Sequence, residues 1–304
     1  MESPRGTFSI VALDPQSGDV GVAVQSRYFA VGAVVSWARA GVGAVATQAA
    51  GRAAYGPEIL VLLECGLEPA KAIEHALADD DRRETRQLGV VDAQGRAAAF
   101  TGGECNVWAG HSTGPGYAAQ GNILAGEDVV TEMARAFEET SGALAERLVA
   151  ALEAAQAAGG DRRGQQSAAL VVERPGGIPG SREGIDRIVD LRVDDHPEPI
   201  HELRRLLDLH TRTSLALGTY ELYERREWAA AIAATEAALA RFPDDPFLLY
   251  NLACYESLDG RREGALAHLE QALARDPTLR EMARSDADLA ALANDPSFRG
   301  LVGP

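Results

Sequence analysis

The chain has 304 residues, a length that is enough for one large domain or two ordinary ones. Apolar residues make up 46% of it, and the formal net charge is −16. The acidic balance, with no block of Lys or Arg, argues against a surface for nucleic acid or for an anionic membrane. No apolar run approaches the roughly 20 residues that span a bilayer, and Met1–Arg5 lacks the features of a secretory signal. Three widely spaced cysteines, Cys65, Cys105 and Cys254, fit reduced thiols, and we expect a cytoplasmic protein.

Short Val- and Ala-rich runs separated by turn residues predict β-strands at the start of the chain. These runs are Thr7–Leu13, Val20–Ser26, Gly32–Ala38 and Val42–Gln48. The first two flank an Asp-Pro-Gln-Ser-Gly turn and predict a hairpin. Its open end is expected to bring Thr7 beside Gln25 and Ser26.

Helical and strand-like stretches then alternate as far as residue 193. The predicted helices are Gly56–Glu64, Glu68–Ala78, Gly126–Thr140 and Ala143–Ala158, and the predicted strands are Arg86–Asp92, Arg96–Thr101, Tyr117–Gln120, Gln166–Glu173 and Ile185–Val193. The glycine-rich segment Gly102–Gly116 is expected to be a loop. Strand runs that alternate with helix pairs predict an α+β fold with sheets covered by helices on both sides.

The acidic, proline-containing segment Asp194–Pro199 predicts a domain boundary, with one domain over residues 1–195 and a helical module over residues 196–304. Within the module, "ALARFP" at Ala238–Pro243 recurs as "ALARDP" at Ala272–Pro277, an offset of 34 residues. This period, with small Ala positions and a closing Pro, resembles the tetratricopeptide repeat. A generic helical bundle is the alternative. Two repeats, at about 212–245 and 246–279, would offer a groove to a protein or peptide partner.

Thr7, at the start of the first predicted strand, is the main candidate for chemistry. If a chain begins at such a Thr, its α-amine, with an ordinary pKa near 7.7, can take the hydroxyl proton. The hydroxyl oxygen Oγ1 can then attack an amide carbonyl. Because six residues precede Thr7, this use requires cleavage of the Gly6–Thr7 bond, where glycine allows a strained backbone.

The order of elements over residues 7–193 resembles that of the N-terminal-nucleophile (Ntn) hydrolases, above all the proteasome β-subunit branch. Here "QSR", "QGN" and "GGDRRGQQS" stand where that branch has its Asp-Ser-Arg segment, its Gly-Ser-Gly turn and a further Asp. The resemblance implies a four-layer αββα sandwich. It also implies Thr7 as the nucleophile, Ser26 and Asp161 as residues that orient the amine, and Asn122 with a backbone N–H as the oxyanion stabiliser. This chemistry requires neither a metal nor an organic cofactor.

A closer resemblance links the chain to an uncharacterised bacterial family of Ntn-hydrolase-like proteins. It is carried by "TFSIVA", "GVAVQS", "AGVGAVATQA", "YGP", "QGN", "GGDRRGQQSAAL" and "VDLRVDDHP". This family implies the fold and a candidate pocket without a settled reaction.

Six further residues are expected to contact a small amide or peptide-like ligand. They are Gln25, Gln48, Tyr55, Trp108, Gln120 and Gln166. Tyr55 opens the first predicted helix, whose N-terminus suits a substrate carboxylate, although a plain helix start is the simpler explanation. Trp108 lies in the glycine-rich segment, which would form a lip over the cleft.

Several features depart from the proteasome pattern. Lys71, the only Lys, lies in the second predicted helix rather than beside Thr7, and Arg39 can supply charge but cannot act as a base. Gln25 stands where the pattern has Asp. A non-catalytic small-ligand-binding protein, whose repeats recruit a partner, is therefore the alternative to a hydrolase of a small amide or peptide-like bond.

Two weaker alternatives involve other reactive side chains. Cys105 and His111 could form a thiol dyad. Asp194, Asp195, His196 and His201 offer metal-ligand types, but a helix cap at a linker explains them without a metal. The sequence is compatible with a homo-oligomer.

Overall fold

The computed structural model describes residues 6–178 and 184–303. Met1–Arg5, whose removal the Thr7 chemistry requires, lie outside the described residues. By their internal contacts, the residues divide into two compact units, Met1–Asp208 and Leu209–Pro304. The α+β class is confirmed, with two antiparallel sheets and many helices.

The described residues form ten strands and eleven α-helices. The strands are β1 (Thr7–Leu13), β2 (Val20–Ser26), β3 (Ser36–Arg39), β4 (Gly43–Ala49), β5 (Arg86–Asp92), β6 (Ala97–Thr101), β7 (Gly110–Gly114), β8 (Tyr117–Asn122), β9 (Ser167–Glu173) and β10 (Arg187–Val193). The helices are α1 (Gly32–Val35), α2 (Tyr55–Glu64), α3 (Pro69–Leu77), α4 (Asp128–Glu139), α5 (Leu144–Ala157), α6 (Pro199–Glu224), α7 (Trp228–Arg241), α8 (Pro246–Leu258), α9 (Arg262–Arg275), α10 (Leu279–Ser285) and α11 (Pro296–Val302). Among them, no helix is both long and apolar enough to cross a membrane.

The first unit contains both sheets. One has six strands in the order β10-β9-β2-β1-β8-β7, and the other has four in the order β3-β4-β5-β6. Successive side chains of a strand point to opposite faces, so each sheet contributes to two cores. Phe8 and Ile10 of β1 pack in a core with α4 and α5, whereas Val11 packs in a second core with Ala44 of β4. Ile59 of α2 belongs to a third core, which α2 and α3 form on the far face of the four-stranded sheet. The layers therefore run helices, sheet, sheet, helices.

The β1–β2 hairpin is closed by a hydrogen-bonded turn. Asp14 Oδ1 accepts from the Gln16 N–H at 3.0 Å, and the Gly18 N–H donates to the Asp14 carbonyl at 2.9 Å. Asp19 receives two hydrogen bonds of 2.7 Å from the Arg174 guanidinium, a bidentate geometry that fixes direction as well as distance. The turn is thereby tied to the segment that follows β9.

Two sequence predictions of local structure are wrong. Gly32–Ala38 was expected to be one strand, but its first part is the helical turn α1. The Val31 N–H donates to Ser167 Oγ at 3.1 Å, and Gly32 lies so close to β9 that an added Cβ would be 2.4 Å from Ala169 Cβ. The loop predicted over Gly102–Gly116 contains β7, because pairing with β8 overrides the glycine-rich composition.

The second unit is entirely helical over its described residues. Helices α7 and α9 begin and end 34 residues apart, and so do the ends of α6 and α8. Its core contains Ile232 of α7, Leu252 of α8 and Leu269 of α9. The division between the units falls within α6, whereas the predicted boundary at 195/196 lies just before that helix.

Gly56 of α2 tests how closely the outer helices pack on their sheet. An added Cβ would lie 2.1 Å from a carbon of the Trp37 ring, so we predict that Gly56→Ala lowers the free energy of unfolding of the first unit by about 1–3 kcal/mol. Gly126→Ala is the matched control, because its Cβ would meet no heavy atom within 4 Å. Urea denaturation measures both variants, and equal stabilities would contradict the prediction.

Candidate functional site

Thr7 begins the central strand of the six-stranded sheet. It lies in register with Ser26 of β2 on one side and with Asn122 of β8 on the other. All three are at most 3% exposed. Thr7 alternates with Phe8, which faces α4 and α5, so the Thr7 side chain faces the gap between the two sheets. The hydroxyl oxygens of Thr7 and Ser26 are 3.0 Å apart.

The Gly6 carbonyl oxygen is bound by three side chains. It accepts hydrogen bonds from Thr7 Oγ1 at 2.6 Å, from Ser26 Oγ at 2.5 Å and from Arg163 Nη2 at 2.8 Å. This carbonyl belongs to the peptide bond that precedes Thr7. Donors at a carbonyl oxygen stabilise the negative charge that develops there when a nucleophile attacks the carbon. The arrangement thus polarises the Gly6–Thr7 bond.

Asp161 holds the arginine of this group in place. Its carboxylate accepts from Arg163 Nε at 3.1 Å and Nη2 at 2.7 Å, and also from the backbone N–H of Arg27 at 3.1 Å. The carboxylate lies directly against Gly6, where an added Cβ would be 2.6 Å from Oδ2. Position 6 therefore accommodates only glycine unless Asp161 shifts. Asp161 does not bind Thr7 directly but is connected to it through Arg163 and the Gly6 carbonyl.

A network of buried amides joins the two sheets behind Thr7. Gln48 Nε2 of β4 donates to the Thr7 carbonyl at 3.3 Å and to Gln87 Oε1 of β5 at 2.8 Å. Asn122 Nδ2 donates to the same Gln87 oxygen at 3.0 Å. Gln87 also donates, through Nε2, to the Gly121 carbonyl at 2.8 Å. Gln87 therefore fixes the orientation of both Gln48 and Asn122.

The network extends one step further through Ser9. Ser9 Oγ donates to Gln48 Oε1 at 2.6 Å and accepts from Gln120 Nε2 at 2.7 Å. The expected residues Gln48 and Gln120 are thus brought together near Thr7. Sequence reasoning missed Ser9, Gln87 and Arg163. For Ser9 and Gln87, the available signal was that polar residues occupy inward positions of otherwise apolar strands.

A small cavity of about 90 Å³ lies beside Thr7. Its walls are formed by Thr7, Tyr28, Val31, Val34, Val35, Thr47, Gln48, Ala49, Gly51 and Ala53. None of these residues is charged. The cavity is bounded by α1 and the residues before it, by the end of β4 and by the segment that leads into α2.

Tyr55 does not line this cavity but braces one of its walls. It is fully buried among the residues of the third core, and its hydroxyl donates to Asp80. Arg86 Nε donates to the same carboxylate at 2.8 Å, while Arg86 Nη1 donates to the Ala50 carbonyl. The expected ligand contact of Tyr55 is therefore replaced by a structural one, through which Asp80 and Arg86 hold the segment after β4.

Three other residues that the sequence predicts as ligand contacts do not line the cavity either. Gln25 lies in register with Phe8 on the opposite face of the sheet from Thr7, because side chains alternate along β2. Its buried amide has no hydrogen-bond partner among the described residues. Trp108 packs against the core beneath α4 and α5. Gln166 Nε2 donates to Asp195 at 3.1 Å.

The positive charge beside the nucleophile comes from Arg163. Lys71 lies on α3 and Arg39 at the end of β3, and each forms an ion pair with a nearby glutamate. Arg39 is in register with Gly43, at the end of β4 opposite to Gln48. Arg39 therefore does not supply the charge at Thr7.

The other reactive candidates have separate partners. Cys105 Sγ donates to the Arg86 carbonyl at 3.3 Å, and burial raises the pKa of the Cys105 thiol. Thr101 Oγ1 lies 2.8 Å from His111 Nδ1. These contacts do not form the dyad considered for Cys105 and His111.

The linker histidines and aspartates are not brought together as a metal site. His196 Nδ1 accepts from the Glu198 N–H at 3.0 Å, a local turn contact. Within residues 6–178 and 184–303, the one group whose ligand atoms are close enough to share a metal ion is Cys254, Asp286 and Asp288 in the second unit. Asp286 is already bound by the Tyr250 hydroxyl at 2.8 Å, and burial strongly raises the pKa of Cys254, which disfavours a thiolate ligand.

Comparison with known proteins places the chain in a family. Residues 7–203 match the model of a family of unknown function, DUF1028. The chain belongs to this family. The DUF1028 match begins at Thr7 and includes Ser26, Asn122, Asp161 and Arg163.

A solved structure of a DUF1028 protein is similar to this one. It is protein SPO2555 from Silicibacter pomeroyi, with 36% sequence identity and a TM-score of 0.61. The similarity covers 69% of this chain and 90% of the other. No curated protein matches the chain.

The Asp80–Arg86 pair gives a pH-dependent prediction. Arg86 and then the Tyr55 hydroxyl hold the pKa of the Asp80 carboxyl well below its ordinary value. A depressed folded-state pKa contributes stability above the unfolded pKa of about 3.9 and loses it as the pH falls below that value. We expect Asp80→Asn to lower the melting temperature at pH 7 and the difference from wild type to shrink toward pH 3. Thermal unfolding across this range measures it, and a constant difference would contradict the assignment.

Proposed function

We propose that this protein is an Ntn-type hydrolase of a small amide or peptide-like bond, with Thr7 as nucleophile after cleavage of the Gly6–Thr7 bond. The observation that carries the proposal is the binding of the Gly6 carbonyl oxygen by Thr7 Oγ1, Ser26 Oγ and Arg163 Nη2. The hydroxyl of the proposed nucleophile is held against the carbonyl of the bond to be cut. Two further donors bind the same oxygen, as stabilisation of a developing oxyanion requires.

The proposed cleavage of the Gly6–Thr7 bond consumes one water molecule and needs no cofactor. Thr7 Oγ1 attacks the Gly6 carbonyl carbon, and Arg163 and Ser26 stabilise the charge on the oxygen. The C–N bond then breaks, and the proton from Oγ1 ends on the Thr7 nitrogen. Water hydrolyses the resulting ester, which leaves a Gly6 carboxylate and a Thr7 with a free amine and a free hydroxyl.

The same Thr7 then acts on an external amide. Its α-amine takes the Oγ1 proton as Oγ1 attacks the substrate carbonyl carbon, and this proton passes to the departing amine. Water hydrolyses the acyl ester and restores the hydroxyl. Asp161, which lies against Gly6, is suited to stabilise the protonated amine. Asn122, across β1 from Thr7 and oriented by Gln87, is suited to bind the oxyanion together with a backbone N–H.

Architecture supports this proposal at the level of fold. The layer order of helices, sheet, sheet and helices, with a Thr at the start of a central strand, is similar to the αββα sandwich of Ntn hydrolases. The family itself has no stated function, so the residues carry the argument. In the second unit, the 34-residue offset between helices supports two tetratricopeptide-like repeats.

The alternative is a non-catalytic protein that binds a small ligand. It is favoured by one observation: the hydroxyls of Thr7 and Ser26 are both engaged by the Gly6 carbonyl of the uncut chain. The cavity would then hold a small ligand, and the repeats would recruit a protein or peptide partner. A groove of about 420 Å³ in the second unit, bordered by residues of α6 and α8 and by exposed Phe247, could receive such a peptide.

The identity of the N-terminus discriminates between the two functions. We expect intact-mass measurement of the wild-type protein to detect a species that begins at Thr7, because its hydroxyl is the attacking group. Thr7→Ala should remain uncut and inactive toward small amides, whereas Thr7→Ser, which keeps a hydroxyl, should still be cut. A wild-type protein that stays full-length and shows no amide hydrolysis would favour the binding alternative.

Arg163 should determine how fast the bond is cut. Removal of a donor to a developing oxyanion slows such reactions by about 10²–10³-fold, and we expect a loss of this order in the cleavage rate of Arg163→Gln. Arg162→Gln is the matched control, because Arg162 is an exposed neighbour whose Nη1 contacts the Val107 carbonyl at 3.5 Å. A time course of intact mass after synthesis measures the rates. Equal rates for the two variants would exclude Arg163 from this role.

A further inference from the structure

The cavity beside Thr7 is sized for a short aliphatic group. Its volume is about 90 Å³, whereas an apolar cavity of about 150 Å³ is known to hold benzene. Groups from methyl to isopropyl therefore match the available space better than a phenyl ring. The size of the cavity thus favours small acyl groups over aromatic ones.

The chemistry of the cavity walls also discriminates between apolar and charged ligand groups. The apolar part of the lining consists of Val31, Val34 and Val35 of the α1 region with Ala49 and Ala53, and the polar lining residues Thr7, Tyr28, Thr47 and Gln48 are all uncharged. Val31 and Val35 are at most 4% exposed. A charged group placed among these side chains would lose its hydration without gaining a counter-charge. The walls thus favour apolar groups and disfavour carboxylates and ammonium groups.

Hydrogen bonds to the backbone hold the α1 wall in place. Ser167 Oγ accepts from the Val31 N–H at 3.1 Å and donates to the Tyr28 carbonyl at 2.5 Å. The Ala30 N–H donates to the Asp194 carbonyl at 3.0 Å, and Gly32 packs closely on β9. These contacts tie the α1 wall to the six-stranded sheet and limit its outward movement.

The opposite wall is tied to the four-stranded sheet. Arg86 donates to the Ala50 carbonyl, and the Ala50 N–H donates to the Thr85 carbonyl at 3.1 Å. The hydrogen bonds of both walls oppose an enlargement of the cavity for a bulky ligand. Its volume therefore contributes to the choice of ligand.

We propose that this cavity is the subsite for the acyl side chain of the substrate, and that the protein acts on amides of short aliphatic acids. Groups of the size of the alanine or valine side chain fit, and aromatic or charged acyl groups are rejected. The inference rests on the proposed function, because a cavity beside Thr7 receives the acyl side chain only if Thr7 Oγ1 attacks the acyl carbon. In that step, the acyl C–O bond to Oγ1 forms, the amide C–N bond breaks and the amine leaves with the proton.

Turnover of a matched set of amides tests the subsite. The p-nitroanilides of alanine, valine, phenylalanine and glutamate differ only in the side chain of the acyl group. We expect kcat/KM for the alanine and valine compounds to exceed that for the phenylalanine and glutamate compounds by at least about tenfold. A Thr7-dependent activity that prefers phenylalanine or glutamate would overturn the subsite and leave the hydrolase standing.

Variants of the walls make the test specific. Ala53 is exposed to solvent at the cavity rim, so Ala53→Leu is expected to fold and to fill the space. It should lower kcat/KM for the valine compound at least tenfold while affecting the alanine compound less. Val34→Ala should instead raise turnover of the phenylalanine compound. Val61→Ala, on the exposed face of α2, is the control that should leave the preference unchanged.

Binding without turnover separates failure of the subsite from failure of the hydrolase. Ligand-observed NMR with the full-length protein should detect isobutyramide and not benzamide, and Ala53→Leu should abolish the isobutyramide signal. If no amide is hydrolysed but this binding pattern is observed, the proposed ligand class is supported and the proposed hydrolase activity is contradicted. If isobutyramide does not bind, or binds Ala53→Leu equally well, the subsite is overturned.

Discussion

The buried contact between the Asp161 carboxylate and Gly6 is the constraint on which the candidate site depends. The carboxylate fixes the Arg163 guanidinium, and the guanidinium in turn binds the Gly6 carbonyl oxygen. A side chain at position 6 would occupy the space of the carboxylate, so the residue directly before β1 must be glycine unless Asp161 shifts. One ion pair thereby determines both the local sequence and the direction in which the peptide bond before Thr7 presents its oxygen.

The buried amides perform a related task between the sheets. Burial of a side-chain amide in an apolar interior costs free energy when its donors and acceptors are unpaired, and Gln87 provides partners for Gln48 and Asn122 together. Because these residues belong to different sheets, their hydrogen bonds fix the distance between the sheets at the end where Thr7 lies. The apolar cavity beside Thr7 is the space that this separation leaves between the opposing walls.

Much of the fold was predictable because alternation and turn residues are local signals. The bounds of β1, β2 and β5 agree with the predicted strands. The sequence also indicates Thr7, Ser26, Asn122 and Asp161 as site residues, and these lie close to one another in the structure. The error at α1 arises from close packing against β9, which is distant in the chain, whereas β7 forms because pairing with the neighbouring strand β8 overrides its glycine-rich composition. Gln25 could have been excluded from sequence, since neighbouring positions on one strand face opposite sides. Arg163 could not have been preferred to Arg162, because only the tertiary fold distinguishes them.

The turn between β1 and β2 has a consequence for the site at the other end of the hairpin. The side-chain period of a strand is two residues, so a slip of one residue in the pairing would move Thr7 to the helix-covered face and bring Phe8 into the gap between the sheets. The hydrogen-bonded turn at Asp14 and the bidentate pair between Asp19 and Arg174 oppose such a slip. The seven residues of β1, about 24 Å of extended chain, thus link the geometry of a surface turn to the position of a buried hydroxyl. An insertion in that turn would change the pairing register and so displace the Thr7 hydroxyl, although no residue of the turn contacts it.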